Sequence, residues 1–190
     1  MQTVCLIVQK ADAKMPAMTD RWKPSVTVAA IIERQVGGVS QFLLVEEHTP
    51  EGLKLNNPAG HLDPAESPQE GVVREVLEET TCVFTPDRLV GVYLSRFQRP
   101  ARGEDVTFIR LAFGGTVGEP DNSRTLDDGI VRTLWMTLAE LRDSRARHRS
   151  PHVLACVEDF VRGRRYPLDT ITTDPSVYMP EIKRALPDGG

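Results

Sequence analysis

Glu75, Glu78 and Glu79 stand three and four residues apart within GHLDPAESPQEGVVREVLEETTC, residues 60–82. On a helix, at roughly 100° per residue, that spacing gathers the three carboxylates into an arc of about 100° and leaves Val73, Val76 and Leu77 on another arc that can pack. The charges oppose the helix: carboxylates at i and i+4 repel by a few tenths of a kcal/mol, and the C-terminal end of the helix dipole disfavours anions. Two readings account for them. One is a solvated acidic face, with Arg74 pairing to Glu78 one turn on. The other is an oxygen site for a hard divalent cation such as Mg²⁺, which commonly shares one or two carboxylates with substrate phosphates.

The helix that carries these residues is well marked. Ser67 is a natural N-cap, Pro68 suits the first helical position, and Glu70 completes a capping box. Before it, LKLNNPAGHL contains Pro58 and Gly60, which favour irregular extended backbone. The acidic helix is therefore expected directly after a strand and loop.

Read in full, the spacing is Gly60, five residues, Glu66, seven residues, Arg74-Glu75, the apolar Val76, one residue, and Glu78-Glu79. This resembles the Nudix box, Gly-x5-Glu-x7-Arg-Glu-U-x-Glu-Glu-x-Gly-U, where U is apolar. The sequence departs from it where Thr81 replaces the second glycine and Cys82 fills the last apolar position. A β-branched residue is strained in the left-handed conformation that glycine supplies after a helix, so a locally different helix exit is expected. KPSVTVAAII, FLLVEE, NPAGHLDPAES, the distal Trp135 and RRYPLDTI extend the likeness. Together they resemble Nudix phosphatases of the NudJ type over residues 22–171.

The resemblance implies metal-assisted attack of water on phosphorus. Its substrates would be nucleoside tri- and diphosphates or a thiamin pyrimidine diphosphate precursor, with orthophosphate released; membership of the superfamily alone implies only hydrolysis of a diphosphate linked to another group. By the same resemblance, Mg²⁺, with Mn²⁺ as a substitute, is held by the Ala59 carbonyl, Glu75, Glu78 and Glu79. Glu75 leads as general base, Arg74 orients the carboxylates, and Glu78 completes the catalytic set. Another acid is expected from the loop before Trp135: Asp128 first, then Asp127, then Glu119. Glu66 is expected to be structural, near the helix entrance.

Two further enzyme readings stay open: a pyrophosphatase that leaves a nucleoside monophosphate, and hydrolysis of a sugar-nucleotide diphosphate. A third reading is a non-catalytic, nucleotide-sensing Nudix-like module. Arg96, Arg99, Arg110 and the arginines of RDSRARHRS around His148 are candidates to attract phosphate or simply solvated charges. His61 is read as organising the box entrance. Tyr93, Phe97 and Phe108 can stack a base or pack in a sheet.

The surrounding elements predict an α/β protein. PSVTVAAIIER, the QVGGVS turn and QFLLVEEH read as a hairpin. Arg88–Phe97 and Val106–Val117 read as long strands around the charged turn RPARGED, and TLWM as a short strand ending at Thr137. Thr137 and Glu140 form a second capping box. A last helix is expected from a Ser150 cap and Pro151 to about Arg162, with Gly163 as its stop. Strands covered on both faces by helices make a Nudix-like α/β/α sandwich with a mixed β-sheet.

One domain suffices for 190 residues, 40% of them hydrophobic,. We divide the chain into an N-terminal extension (1–21), the domain (22–171) and a C-terminal tail (172–190), ending in a frayed LPDGG. The formal charge of −4 argues against binding polymeric nucleic acid,. Cys5, Cys82 and Cys156 form no metal or disulfide pattern and suit a reducing compartment. The apolar run Val4–Val8 is too short to cross a membrane and poorly built for a signal peptide, and Met15 and Met18 suggest alternative starts. The expectation is a cytoplasmic protein acting on a small-molecule diphosphate or triphosphate, with no membrane partner and a homodimer left open.

Overall fold

The computed structural model describes residues 22–180; the expectations for Val4–Val8, Cys5, Met15, Met18 and LPDGG fall outside them. The β-branched run after Lys23 forms β1 (Ser25–Val36), which turns back into β2 (Val39–Thr49). Gly37 and Gly38 make the turn with φ of 58° and 81°, the positive values that a two-residue hairpin loop demands at both positions. Then come β3 (Gly52–Asn56), the short β4 (Ala59–His61) and α1 (Pro68–Thr80). The long strands β5 (Phe84–Arg99) and β6 (Glu104–Val117) pair antiparallel across the charged turn. β7 (Ile130–Thr137), α2 (Leu138–Asp143) and α3 (His152–Val161) complete the order.

β1 is the hub of a mixed sheet. Its first part pairs parallel with β6 and antiparallel with β4, and Glu33–Val36 pair with β2. The order is β3-β2-β1-β6-β5, with β4 on β1 and β7 on β2. A strand covered on both faces must be apolar on both, and Val28 to Ile32 are at most 1% exposed. Their alternation divides the core. Val28, Ala30 and Ile32 join Val72 and Val76 of α1, while Ile31 joins Leu141 of α2 and Val153, Val157 and Phe160 of α3. Helices thus lie on both faces of the sheet, the expected α/β/α sandwich. Among the described residues no helix is long and apolar enough to cross a membrane.

Both capping boxes form: the Ser67 and Thr137 hydroxyls accept from the Glu70 and Glu140 amides, whose carboxylates accept in return. Two helix ends correct the sequence reading. Thr81 does not divert the exit of α1; it takes the left-handed conformation itself, at φ 59° and ψ 10°. Its strain, roughly 1–2 kcal/mol, is held by neighbours. The Thr81 amide donates to the Leu77 carbonyl at 2.9 Å, the Thr81 carbonyl accepts from Asp121 at 3.0 Å, and the Cys82 amide donates to Thr80 Oγ1 at 3.2 Å.

The second correction concerns Ser150, which does not cap α3. The boundary residue is Pro151, so Ser150 lies one step too far upstream for its hydroxyl to reach the helix amides,. Ser150 Oγ is buried without a partner. Gly163 stops the chain after α3 with a φ of 84°. Beyond it, Tyr166 exchanges backbone hydrogen bonds with Leu89, and Leu168 and Ile171 pack on the α1 side of the core. The Tyr178 hydroxyl donates to Glu70 Oε2 at 2.9 Å.

Candidate active site

α1 docks through Val72 and Val76, both fully buried. At roughly 1.5–3 kcal/mol each, their burial outweighs the few tenths lost per carboxylate pair on the surface. Docking carries two of the three glutamates inward: Glu75 and Glu79 are 9% and 7% exposed. The Glu78 side chain remains 41% exposed.

Arg74 binds the cluster together. Its Nε and Nη2 donate to the two oxygens of Glu66 at 3.0 and 2.7 Å, and its Nη1 donates to Glu75 at 2.7 Å and Glu78 at 3.1 Å. Nη2 also donates to the His61 carbonyl at 3.0 Å, while Glu66 accepts the Asp63 amide at 2.7 Å. Hydrogen bonding from Arg74 holds the Glu66 carboxyl below its usual range. Glu66 therefore fixes Arg74, and Arg74 fixes the two carboxylates beyond it.

Gly60 is required here by contact. A Cβ on it would meet the Glu75 carboxylate at 2.1 Å. Next to it, the Ala59 amide donates to Glu79 Oε2 at 2.8 Å. Burial pushes Glu79 up to about 8 against the pull of that amide, with the charges of Glu75, Glu47 and Asp127 adding to burial. Burial also raises Glu75, against its hydrogen bond from Arg74.

This shift has a testable sign. As pH rises from 4.5 towards 8 the unfolded chain releases the Glu79 proton first, so the buried carboxyl progressively destabilises the metal-free fold,. His148 and His152, lowered by burial, act in the opposite sense near pH 6.5, and comparison with Glu79→Gln cancels them. In metal-free denaturant titrations the two proteins should match near pH 5. The Gln variant should be more stable by about 4 kcal/mol near pH 8,, and Mg²⁺ should narrow that gap. A gap that stays constant with pH would rule the account out.

Glu75 and Glu79 face a cavity of about 780 Å³, also lined by Ala59, Gly60, Glu47, Asp127 and Asp128. Arg74, Glu78 and Glu119 do not line it. Asp127 and Asp128 are both exposed, and the Asp127 amide ties their loop to α1 through the Glu78 carbonyl at 2.9 Å. Among the described residues, no three acidic, histidine or cysteine side chains stand together as a formed ion site. Glu75 and Glu78 are turned onto Arg74, and Glu79 onto the Ala59 amide. The donor chemistry still fits a hard divalent cation, being all oxygen, mutually repelling and partly unsatisfied: Glu47 Oε1 is buried without a partner,.

Glu47 was not singled out from the sequence. The available signal was an acidic pair following the apolar run Phe42 to Val45 in a strand. Of the other candidates, Arg96 pairs with Asp105 and Arg99 with Glu51 and Glu104. Arg142, Arg147 and Arg149 pair with Glu158, Glu46 and Glu47. Tyr93 turns to the α3 side and donates to Asp159 at 3.1 Å. Phe97 and Phe108 line the cavity, with the His61 ring 6.1 Å from that of Phe108. Trp135 packs on the α1 side under the Arg34 guanidinium, 4.2 Å from the ring centroid.

Set against known proteins, residues 23–155 match the NUDIX domain. The phosphatase NudJ of Escherichia coli K12 is 29% identical over 150 residues, covering 79% of this chain and 92% of that protein. A NUDIX hydrolase from Nitrosomonas europaea is 45% identical with a TM-score of 0.70, over 80% of this chain and 98% of that one. The NUDIX domain of Shewanella oneidensis NrtR, solved with ADP ribose, gives a TM-score of 0.59 at 17% identity, over 75% of this chain and 90% of that one. At that identity the likeness is one of fold alone.

Proposed function

This chain belongs to the NUDIX domain family and is a Nudix hydrolase, and from that premise we propose that it is a Mg²⁺-dependent phosphohydrolase releasing orthophosphate. Its substrates are nucleoside tri- and diphosphates or a thiamin pyrimidine diphosphate precursor. The observation that carries this reading is the pair of buried carboxylates, Glu75 and Glu79, facing one cavity beside an Arg74 that Glu66 holds in place. The similarity to a protein named a phosphatase supports orthophosphate as the product.

The Ala59 carbonyl, Glu75, Glu78 and Glu79, with Asp128 from the facing loop, are the groups that would hold Mg²⁺ or, in its place, Mn²⁺. When bound, the ion supplies neutralising charge for the phosphates and polarises water. Glu75 is the general base. Burial raises its proton affinity above that of a free carboxylate, the direction that strengthens a base. Gly60 leaves room for its carboxylate, and Arg74 fixes the orientation of Glu75 and Glu78. The buried, free Cys82 and Cys156 suit a reducing compartment, which for this chain we take to be the cytoplasm,.

The deciding assay incubates the protein and Mg²⁺ with a nucleoside diphosphate and a nucleoside triphosphate in parallel, resolving orthophosphate from pyrophosphate. Orthophosphate is expected from both. Pyrophosphate from the triphosphate alone would move the chain to the pyrophosphatase branch.

A further inference from the structure

Arg110 on β6 lines the cavity of the acidic cluster and is only 9% exposed. Its Nη2 donates to Asn56 Oδ1 at 3.3 Å and the Cys156 thiol, a weak acceptor, lies against the guanidinium, while Nη1 is buried with no oxygen or nitrogen partner,. A guanidinium cannot shed its charge, so an unpaired nitrogen in that position is an unmet demand for an acceptor. Two further polar atoms close by are in the same state. Ser150 Oγ and His152 Nε2 are buried without partners, and both residues line the same cavity. They stand at the start of α3, where the helix dipole favours an anion.

The neighbourhood selects among ligands. The charge of Arg110 acts on His152 on one side and interacts with Glu47 and Glu79 on the other. An anion seated on Arg110 therefore lies within electrostatic reach of the acidic cluster. Phe97, Val106 and Phe108 line the cavity from the stretch of β5 and β6 nearer their connecting turn, where Arg96 and Arg99 also line it but are already paired with Asp105, Glu51 and Glu104. The cavity thus has a cationic, hydrogen-bonding portion beside the carboxylates and an aromatic portion beyond it.

We infer that Arg110, with Ser150 and His152, seats the free terminal phosphate of the substrate, so that the phosphate chain enters end first and the rest of the molecule lies toward Phe97 and Phe108. Arg110 supplies a charge-assisted donor, Ser150 a hydroxyl that can donate, and His152 a ring nitrogen that can accept from a phosphate hydroxyl. The inference rests on the phosphohydrolase reading and deepens it. A terminal phosphate held beside Glu75 and Glu79 puts the outermost phosphorus at the carboxylates, which yields orthophosphate. An ester on that phosphate would remove one of the oxygens these groups bind and the hydroxyl that His152 can accept from, so nucleoside diphosphates should be preferred to sugar nucleotides.

The test titrates inorganic phosphate calorimetrically into the wild type, Arg110→Lys and Ser150→Ala, with and without Mg²⁺, after thermal melts confirm folding. Arg110→Lys keeps the charge but loses the planar fork. It should weaken phosphate binding about tenfold or more, and Ser150→Ala severalfold. In turnover assays Arg110→Lys should raise KM for a nucleoside diphosphate by a similar factor, with a smaller change in kcat, and erode the preference over a sugar nucleotide. A folded Arg110→Lys that binds phosphate like the wild type overturns the seat, as does one that loses affinity for the nucleoside but not for phosphate, which would make Arg110 a base-reading residue. Should Arg110→Lys fail to fold, the double variant Ser150→Ala/His152→Gln decides, and undiminished phosphate affinity there overturns the seat equally. The titration needs no turnover. A wild type that binds phosphate but hydrolyses neither nucleotide would therefore sink the phosphohydrolase reading and leave the anion seat standing.

Discussion

Glu75→Gln should lower turnover by about a thousandfold or more while the protein melts no lower than the wild type. The two halves of that expectation have separate causes. Gln has the size and shape of Glu, so it can rest against Gly60 and hold its place on α1 without a new clash or cavity. Burial disfavours the charged form of Glu75, and Arg74 keeps the Glu66 and Glu78 carboxylates as partners when Gln replaces Glu75, so no buried charge is left uncompensated,. Function has no such substitute. Gln cannot accept a proton from water and is a weaker oxygen donor to a divalent ion. Loss of general-base assistance alone is typically about 10²–10⁴ in rate. The measurement is kcat with saturating Mg²⁺ and substrate, beside a thermal melt. Near-normal turnover would remove Glu75 from the role of base and turn attention to Glu79, the more deeply buried carboxylate.

Much of the framework was readable because it is written in local rules. The Ser67–Glu70 capping box, the Gly37–Gly38 turn and the two-sided apolar run Val28–Ile32 each specify their backbone within a few residues. The box spacing likewise gathers its glutamates on one helix. What spacing could not show is which of them go inside. Glu78 shares the arc of Glu75 and Glu79 but remains near the surface, because the docking of Val72 and Val76 against β1 sets the rotation of α1. Thr81 shows the opposite failure. A local rule argued against a left-handed threonine, and the helix-capping bond to Leu77 together with the tertiary bond from Asp121 overrides it.

The partners brought in from elsewhere in the chain were the least legible. Glu47 sits in a strand, Arg110 on another, and His152 at the start of a helix with no motif around any of them. They become a group only when β2, β6 and α3 surround one cavity. The arginine run 142–149 illustrates the converse. It looks like a phosphate attractor in sequence, yet three of its members are committed to Glu158, Glu46 and Glu47. A charge in sequence is a candidate; its existing partners decide whether it is free to bind.

Gly60→Ala should damage both stability and turnover through a single methyl group, and the pair Gly60 and Glu75 can be tested as a unit. The added Cβ would fall 2.1 Å from the Glu75 carboxylate, a separation that no side chain tolerates, so something must move. Glu75 is not free to swing away. Arg74 holds it at 2.7 Å, Glu66 holds Arg74, and the helix backbone is pinned by Val72 and Val76. Overpacking of this kind costs about 1–3 kcal/mol. An ångström of displacement in a positioned catalytic group costs about a hundredfold in rate. Adding Glu75→Ala to Gly60→Ala removes the obstructing carboxylate, so the double variant should recover most of the lost melting temperature while turnover falls further. That opposite response, stability rescued and activity not, is the coupling expected of two residues in direct contact. If Gly60→Ala instead melts and turns over like the wild type, the carboxylate has room to withdraw, and Glu75 does not require a glycine at this position.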